Sequence, residues 1–108
     1  HVLILGITFK ENCHDIRNSK VFDIINDLSS YGCAVDIYDP YITKHKESTN
    51  YKSVSNPFTK DKLYDAIVVA VAHKEFIKIT MTEYKAISLD EAIVIDVKGI
   101  VKNPTWRL

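Results

Sequence analysis

Two uninterrupted apolar runs constrain what this 108-residue chain can fold into. The first run, Val2 to Leu5, ends at Gly6, and the second spans Ala66 to Val71. A strand that is apolar at every position is covered on both of its faces, as the central strands of a parallel sheet are. The sequence therefore predicts an α/β fold in which these two runs are buried strands.

An amphipathic helix is expected after the first strand. Its apolar residues recur at i, i+3, i+4 and i+7, which is one helical face, and they are Val21, Ile24, Ile25 and Leu28. We expect Asn18 or Ser19 to cap the first turn, and Gly32 to adopt the left-handed conformation at the end. A second strand, Cys33 to Tyr38, completes a right-handed βαβ unit before Pro40 ends the ladder.

The rest of the chain alternates polar connections with short periodic segments. Residues 42–62 are interpreted as a loop with one short helix and a short strand around Tyr51 to Val54. The other predicted elements are short helices over 74–79 and 82–89, a last strand over 93–96 and an exit segment at 105–107. Together they predict an α/β, Rossmann-like three-layer sandwich with an open, mostly parallel sheet of four strands.

Charge and composition exclude several classes of partner. Fourteen Lys and Arg balance fourteen Asp and Glu, so no net charge draws the chain to nucleic acid or to a membrane surface. The longest apolar stretch, residues 66–72, is far shorter than the ~20 residues of a membrane span. Cys13 and Cys33 are too few for a disulfide framework or a zinc site. We expect one soluble, cytoplasmic domain over residues 1–108, and its start inside a strand without Met suggests a fragment.

The connection after the first strand carries most of the candidate site residues. It is about a dozen residues long, whereas ~2–6 residues are usual, and long connections of this kind are usually functional. Ligands of open parallel sheets bind beyond the carboxyl ends of the strands. The residues expected to converge at that edge, around an anion or a nucleotide, are Phe9, Lys10, Arg17, His73, Lys98 and Gly99.

Each of these residues also has a purely structural interpretation. Phe9 is equally consistent with an ordinary core aromatic, and Lys10 is of a type that is usually a solvated surface cation. Arg17 is favoured for function because it lies just before the predicted helix start, where free backbone N–H groups favour an anion. Asp15 more readily pairs with Arg17 or Lys10 than acts as a general base.

Three other signals are weak by themselves. His14 and His73 lack a partner at metal-binding spacing, so we interpret both as hydrogen-bonded loop residues. Gly6 supplies only the first glycine of a dinucleotide-binding fingerprint, which disfavours NAD binding by this loop. The cysteines have no histidine in a recognisable catalytic motif. From the residues alone, the prediction stops at an α/β domain with a nucleotide-like site at one edge.

Four motifs occur in order along the chain. They are Gly-Ile-Thr-Phe-Lys-Glu-Asn with Asp-Ile-Arg-Asn-Ser (6–19), Tyr-Asp-Pro-Tyr (38–41), Ala-His-x-x-Phe (72–76) and Asp-Val-Lys-Gly (96–99). Together they closely resemble the C-terminal, UDP-binding domain of the UDP-glucose/GDP-mannose dehydrogenase family. The resemblance implies a parent enzyme that oxidises the C6 alcohol of a UDP-sugar to a carboxylate with two NAD in succession.

The resemblance also implies the partners of this domain. NAD would be bound mainly by an N-terminal NAD-binding domain of the same chain, the catalytic cysteine would lie in the part of the parent that is missing here, and the parent would be a homodimer. This fragment alone is expected to be inactive, with no catalytic residue. The alternatives are a regulatory module that binds UDP-sugars without chemistry and an interaction domain without a ligand.

The resemblance assigns roles to four residues. Phe9 and Lys10 match the pair that contacts the nucleotide-sugar, by apolar packing and by charge-assisted bonds. Arg17 matches the arginine that reaches towards the bound NAD. Lys98 stands where glucose-specific members carry the arginine of Asp-Gly-Arg, and Asp-Val-Lys-Gly resembles members that act on UDP-N-acetylhexosamines for capsule and O-antigen synthesis. The thinner lysine could leave room for a 2-acetamido group.

Overall fold

The computed structural model describes residues 1–17, 19–42, 50–59, 62–102 and 104–107, so Asn18 lies outside the described residues. The helices and strands in these ranges are β1 (Val2–Leu5), α1 (Val21–Ser30), β2 (Val35–Tyr38), β3 (Lys52–Ser53), β4 (Tyr64–Val69), α2 (Lys74–Ile77), α3 (Met81–Ala86), β5 (Ser88–Asp96) and β6 (Trp106–Arg107). A 3-10 turn, Pro57–Thr59, lies between β3 and β4. No helix in the described ranges has the length and apolarity needed to cross a bilayer.

The strands form one sheet in the order β3-β2-β1-β4-β5-β6. Every described strand pair is parallel, which confirms the predicted sheet. The two apolar runs give the central strands, so Leu3 of β1 lies between Asp36 and Ile67 in register. The chain order reverses between β1 and β4, and the crevice beyond such a reversal is where α/β sheets bind ligands.

Helices cover both faces of the sheet. Because successive side chains of a strand point to opposite faces, Ile4 of β1 packs on the side of α1, whose Val21 and Ile25 are buried there. Leu3 and Leu5 point to the other side, where they pack with residues of α2 and α3. The predicted α/β, Rossmann-like three-layer architecture is therefore confirmed.

Several predicted boundaries are wrong at the outer half of the sheet. β4 spans 64–69 and not 66–71, and β5 starts at Ser88 and not at Ile93. The reason is tertiary: Tyr64 pairs with Ser88, and its N–H donates to Ile87 O at 2.9 Å. This pairing ends α3 at Ala86, although a helix was predicted to continue to residue 89. α2 likewise ends at residue 77 and not at 79.

Smaller differences concern the ends of other elements. β2 starts at Val35, because the N–H of Cys33 still donates to Leu28 O at the end of α1. α1 begins after Lys20, whose side chain makes no capping bond. Ser19, one of the two predicted capping residues, lies one residue earlier, and its Oγ accepts from the N–H of Val21 at 3.4 Å. The predicted strand near residue 52 is confirmed, and the exit segment adds β6 beside β5. The sheet therefore has six described strands where four were predicted.

Candidate functional site

A cavity of about 200 Å³ opens beyond the carboxyl ends of β1, β4 and β5. Its walls are residues 8–10 after β1, residues 19–21 and 24 at the start of α1, residues 70 and 71 after β4, and residues 97 and 98 after β5. The cavity thus lies where the strand order reverses. It is smaller than the ~300–1,000 Å³ typical of ligand pockets, so it could enclose part of a nucleotide-sized ligand.

Three of the predicted site residues line this cavity. Phe9, Lys10 and Lys98 come from sequence positions far apart and meet at this wall. Phe9 is 56% exposed, so it is not a core aromatic. Lys20, at the start of α1, is a third exposed lysine in the lining, and the sequence analysis did not single it out. Three exposed lysines and an exposed aromatic side chain around one cavity suit a ligand that combines negative charge with a flat apolar surface.

Arg17, Gly99 and His73 were expected at the same place but are not among the residues that line the cavity. Arg17 Nε donates to Asp15 Oδ1 at 3.0 Å and Arg17 Nη2 donates to Oδ2 at 3.2 Å, with the arginine side chain 86% exposed. The bond from the arginine side chain holds the pKa of Asp15 below its usual value and raises the pKa of Arg17. Asp15 therefore has the structural role that the sequence favoured, with Arg17 as its partner.

His73 is fully buried at the start of α2. Its Nε2 lies 2.9 Å from Asp39 Oδ2 and 3.2 Å from Thr8 Oγ1, and its Nδ1 accepts from the N–H of Asn12 at 2.8 Å. The prediction of a hydrogen-bonded loop histidine is confirmed. The network that it joins was not predicted from the sequence.

Asp39 holds the backbone on both sides of this network. Its Oδ2 also accepts from the N–H of Ile7 at 2.8 Å, and its Oδ1 accepts from the N–H of Tyr41 at 2.9 Å. A carboxylate directly after β2 and a histidine four residues beyond the end of β4 follow the two strands that flank β1. That placement was the available sequence signal, because both residues must come close to the connection after β1.

Gly6 has a structural role at the base of the cavity wall. Its φ is +94°, and a Cβ on it would lie 2.6 Å from the Cβ of Val71. The connections after β1 and β4 therefore pass too close for any side chain. This glycine lets two strand ends approach each other, a purpose that needs no further glycines in the loop.

The other predicted chemistry is limited. Cys13 and Cys33 are free and half-buried. Among the residues with described positions, no group of three or more His, Cys, Asp or Glu side chains could hold a metal ion. The candidate site is therefore the cationic and aromatic cavity.

Comparison with known proteins gives consistent matches. A sequence profile of the UDP-glucose/GDP-mannose dehydrogenase family, UDP binding domain, matches residues 3–103. The chain is 38% identical over 100 residues to a UDP-N-acetyl-D-glucosamine 6-dehydrogenase of Salmonella typhi, covering 93% of this chain and 24% of that protein. It is also 38% identical over 115 residues to protein CapL of Staphylococcus aureus, covering 99% of this chain and 27% of that protein. A UDP-D-ManNAc dehydrogenase structure from Pyrococcus horikoshii has a TM-score of 0.75 at 25% identity, covering 98% of this chain and 24% of that chain.

The matched shares differ greatly between this chain and its relatives. The matches cover nearly all of this chain, whereas the chain spans about a quarter of each relative's length. The profile leaves out only residues 1 and 2 and residues 104–108, so it confirms the resemblance found in the four motifs. The chain therefore belongs to the UDP-glucose/GDP-mannose dehydrogenase family, and the part of the family that it matches is the UDP binding domain.

Proposed function

We propose that the cavity binds the UDP portion of a UDP-sugar, and that residues 1–108 act as one nucleotide-sugar-binding domain of an NAD-dependent UDP-sugar 6-dehydrogenase. One observation carries the proposal: Phe9, Lys10 and Lys98 line a single cavity where the strand order reverses. A cationic and aromatic lining at that place suits a nucleotide diphosphate.

Each wall of the cavity has a distinct proposed task. Lys10 forms charge-assisted hydrogen bonds to oxygens of the nucleotide-sugar, and Phe9 packs against its apolar surface. The start of α1 supports the same ligand, because residues 19–21 line the cavity and the side chain of Lys20 adds another exposed cation to it.

The sugar of the proposed substrate is an N-acetylhexosamine. The Salmonella relative is named for UDP-N-acetyl-D-glucosamine, and Lys98 carries a narrower charged group than an arginine would at the same place. The product would serve capsule or O-antigen polysaccharide synthesis. Replacing Lys98→Arg in the intact enzyme should shift preference towards the UDP-glucose substrate, and an unchanged ratio of kcat/KM values would contradict this proposal.

NAD enters the proposal through the rest of the parent enzyme. When bound, NAD supplies the hydride acceptor for oxidation of the alcohol. Arg17 is exposed in the connection between β1 and α1. We assign to its side chain the role of reaching towards that cofactor. The parent is proposed to work as a cytoplasmic homodimer in which an N-terminal domain of the same chain binds most of the NAD.

Titration calorimetry on this chain tests the ligand assignment. UDP should bind weakly, because the cavity is small and suits only part of a nucleotide-sugar. It should nevertheless bind more tightly than NAD. Lys10→Ala should weaken UDP binding by about 1.5–3 kcal/mol, the range for a charge-assisted hydrogen bond away from water. Lys78→Ala is the matched control, because Lys78 is exposed and does not line the cavity. Tighter binding of NAD than of UDP would contradict the assignment.

A further inference from the structure

The ring of His73 joins both ends of a five-residue turn, residues 8–12. Nε2 is 3.2 Å from Thr8 Oγ1 at one end, and Nδ1 is 2.8 Å from the backbone N of Asn12 at the other. Thr8 Oγ1 also donates to Lys10 O at 2.8 Å, which closes the turn internally. Phe9 and Lys10 lie between the two points that the ring contacts.

The hydrogen bonds assign one tautomer to this ring. Nδ1 accepts from the N–H of Asn12, so Nδ1 carries no proton and Nε2 carries it. Nε2–H then donates to Asp39 Oδ2, and Thr8 Oγ1, whose own proton goes to Lys10 O, is free to accept as well. Every polar atom of the ring is therefore used, and none is left for a ligand.

The ring is also fixed by its apolar surroundings. Tyr41 lies over it with ring centroids 4.6 Å apart, and Phe76 packs on it at 5.4 Å. Asn12 has a φ of 55°, which is uncommon outside glycine, and its Oδ1 accepts from the N–H of Lys74 at 2.8 Å. The turn is thus attached to the start of α2 by both the side chain of His73 and the side chain of Asn12.

We propose that His73 is a positioning residue for the nucleotide-sugar site: its ring holds the 8–12 turn in the one arrangement that presents Phe9 and Lys10 to the cavity. The effect of His73 on UDP affinity rests on the proposed function, whereas its effect on the order of the turn does not. His73 is fully buried while Phe9 is 56% exposed, so the histidine acts through the turn and does not touch the ligand. A turn that is ordered before binding avoids the loss of entropy on ordering it with the ligand.

Two variants of this chain separate the contacts of the ring. In His73→Asn the shorter amide keeps an acceptor near Asn12 N but cannot reach Asp39. In His73→Gln the longer amide keeps a donor near Asp39 but loses the acceptor for Asn12. Tyr64→Phe is the matched control, because it removes a different buried hydrogen bond to a carboxylate, Tyr64 OH to Asp36 Oδ2 at 2.8 Å, away from the turn.

The first readout needs no ligand. Backbone ¹⁵N relaxation should show Phe9 and Lys10 ordered in the native chain and in Tyr64→Phe, and more mobile in both His73 variants. The second readout is UDP affinity, which should fall about tenfold or more in both His73 variants, as when one tenth of the molecules keep the binding-competent turn. Unchanged order at Phe9 and Lys10 in folded His73 variants overturns the proposal.

The two readouts distinguish the two ways of failing. Mobile Phe9 and Lys10 in a chain whose native form does not bind UDP support the positioning role and contradict the proposed ligand. If the His73 variants do not fold, two measurements on the native chain test the proposal. The ring ¹⁵N chemical shifts should show that Nδ1 of His73 is unprotonated, and the amide of Asn12 should exchange its hydrogen slowly. A protonated Nδ1 or rapid exchange at Asn12 overturns the proposal.

Discussion

Two of the cavity walls that carry a lysine, those after β1 and after β5, are built in different ways. The first wall is residues 8–10, which carry Lys10, and the second is residues 97 and 98, which carry Lys98. Each depends on a buried carboxylate at the end of a strand, Asp39 after β2 for the first and Asp96 in β5 for the second. What differs is where the groups that donate to these carboxylates lie in the chain.

Asp96 accepts from the N–H groups of Gly99 and Val101, which are 3 and 5 residues downstream. Asp39 has one local donor, the N–H of Tyr41, but its other donors are the N–H of Ile7 and the ring of His73, which are 32 and 34 positions away. The described donors to the carboxylate beneath the second wall therefore come from its own segment, although the N–H of Val97 also donates to Val69 O of β4. The carboxylate beneath the first wall receives most of its donors only once strands β1, β2 and β4 have come together. Changes beneath the first wall should therefore have larger and more widespread effects.

The largest expected effect comes from Gly6→Ala, at the base of the first wall. The positive φ costs about 1–2 kcal/mol for any other residue, and the new Cβ would meet Val71 at 2.6 Å, adding about 1–3 kcal/mol of overpacking. We expect urea denaturation to show a free energy of unfolding lower by about 2–5 kcal/mol. Gly32→Ala is the control: it has a similar φ of +86° but open space around it, so its loss should be about 1–2 kcal/mol. Equal losses at both glycines would mean that the contact with Val71 is unimportant.

The comparison between the two carboxylates gives the next largest effect. Both oxygens of Asp39 accept N–H groups, so the amide of Asp39→Asn must turn its own NH₂ towards a donor. We expect Asp39→Asn to lower the free energy of unfolding by about 3 kcal/mol. The loss for Asp96→Asn should be about 2 kcal/mol, because the native Asp96 has fewer described N–H partners than Asp39.

Amide chemical shifts sharpen this comparison more than stability does. Asp39→Asn should move the amide signal of Ile7, whose N–H donates to Asp39, and that of Asn12, the last residue of the 8–12 turn. Asp96→Asn should move those of Gly99 and Val101 and leave Asn12 unchanged. A response at Asn12 to the Asp96 variant would show that the two walls are coupled, which the described hydrogen bonds do not predict.

The same contrast explains what the sequence could predict. The apolar runs specify the central strands because every position except the half-buried Ala66 is buried. The carboxyl ends of parallel strands share one edge, so the sequence predicted that Phe9, Lys10 and Lys98 meet there. The same argument also placed three residues there that do not line the cavity: Arg17, His73 and Gly99. The polar first half of β5, residues 88–91, has no strand pattern of its own. It is a strand because the start of β4 pairs with it, which is a tertiary cause.

The network beneath the first wall was missed for a similar reason. Asp39 and His73 are 34 positions apart, and a single aspartate and a single histidine have no spacing that predicts their contact. Their partners are chiefly backbone N–H groups, which every residue except proline supplies, so the sequence does not reveal which of them will be used. Such contacts become predictable only after the strand order is known.

The smallest expected effect lies at the far, exposed end of the connection, where Asp15 and Arg17 form a local pair. Arg17→Ala should raise the pKa of Asp15 towards its ordinary value of 3.8, though not completely, because the N–H of residue 17 still donates to Oδ1. The pKa of Asp15 is depressed in the folded chain, so the pair stabilises the fold above pH 3.8 and this contribution is lost as the pH falls through the folded pKa. Carbon NMR titration of the Asp15 carboxyl measures the shift, and the melting temperature should hardly change because solvent screens the pair.

Arg17→Lys completes this test and bears on the proposed contact with NAD. A lysine keeps the charge but cannot donate from two nitrogens of one planar group, so the pKa of Asp15 should fall between the native and alanine values. An unchanged pKa in both variants would show that the pair does not form in solution. If Arg17 reaches NAD in the parent enzyme, its side chain must first leave Asp15. Saturating NAD should therefore raise the pKa of Asp15 in the parent enzyme, as Arg17→Ala should in this chain. Because only an exposed, local pair is broken, the move would leave the turn that holds Phe9 and Lys10 undisturbed.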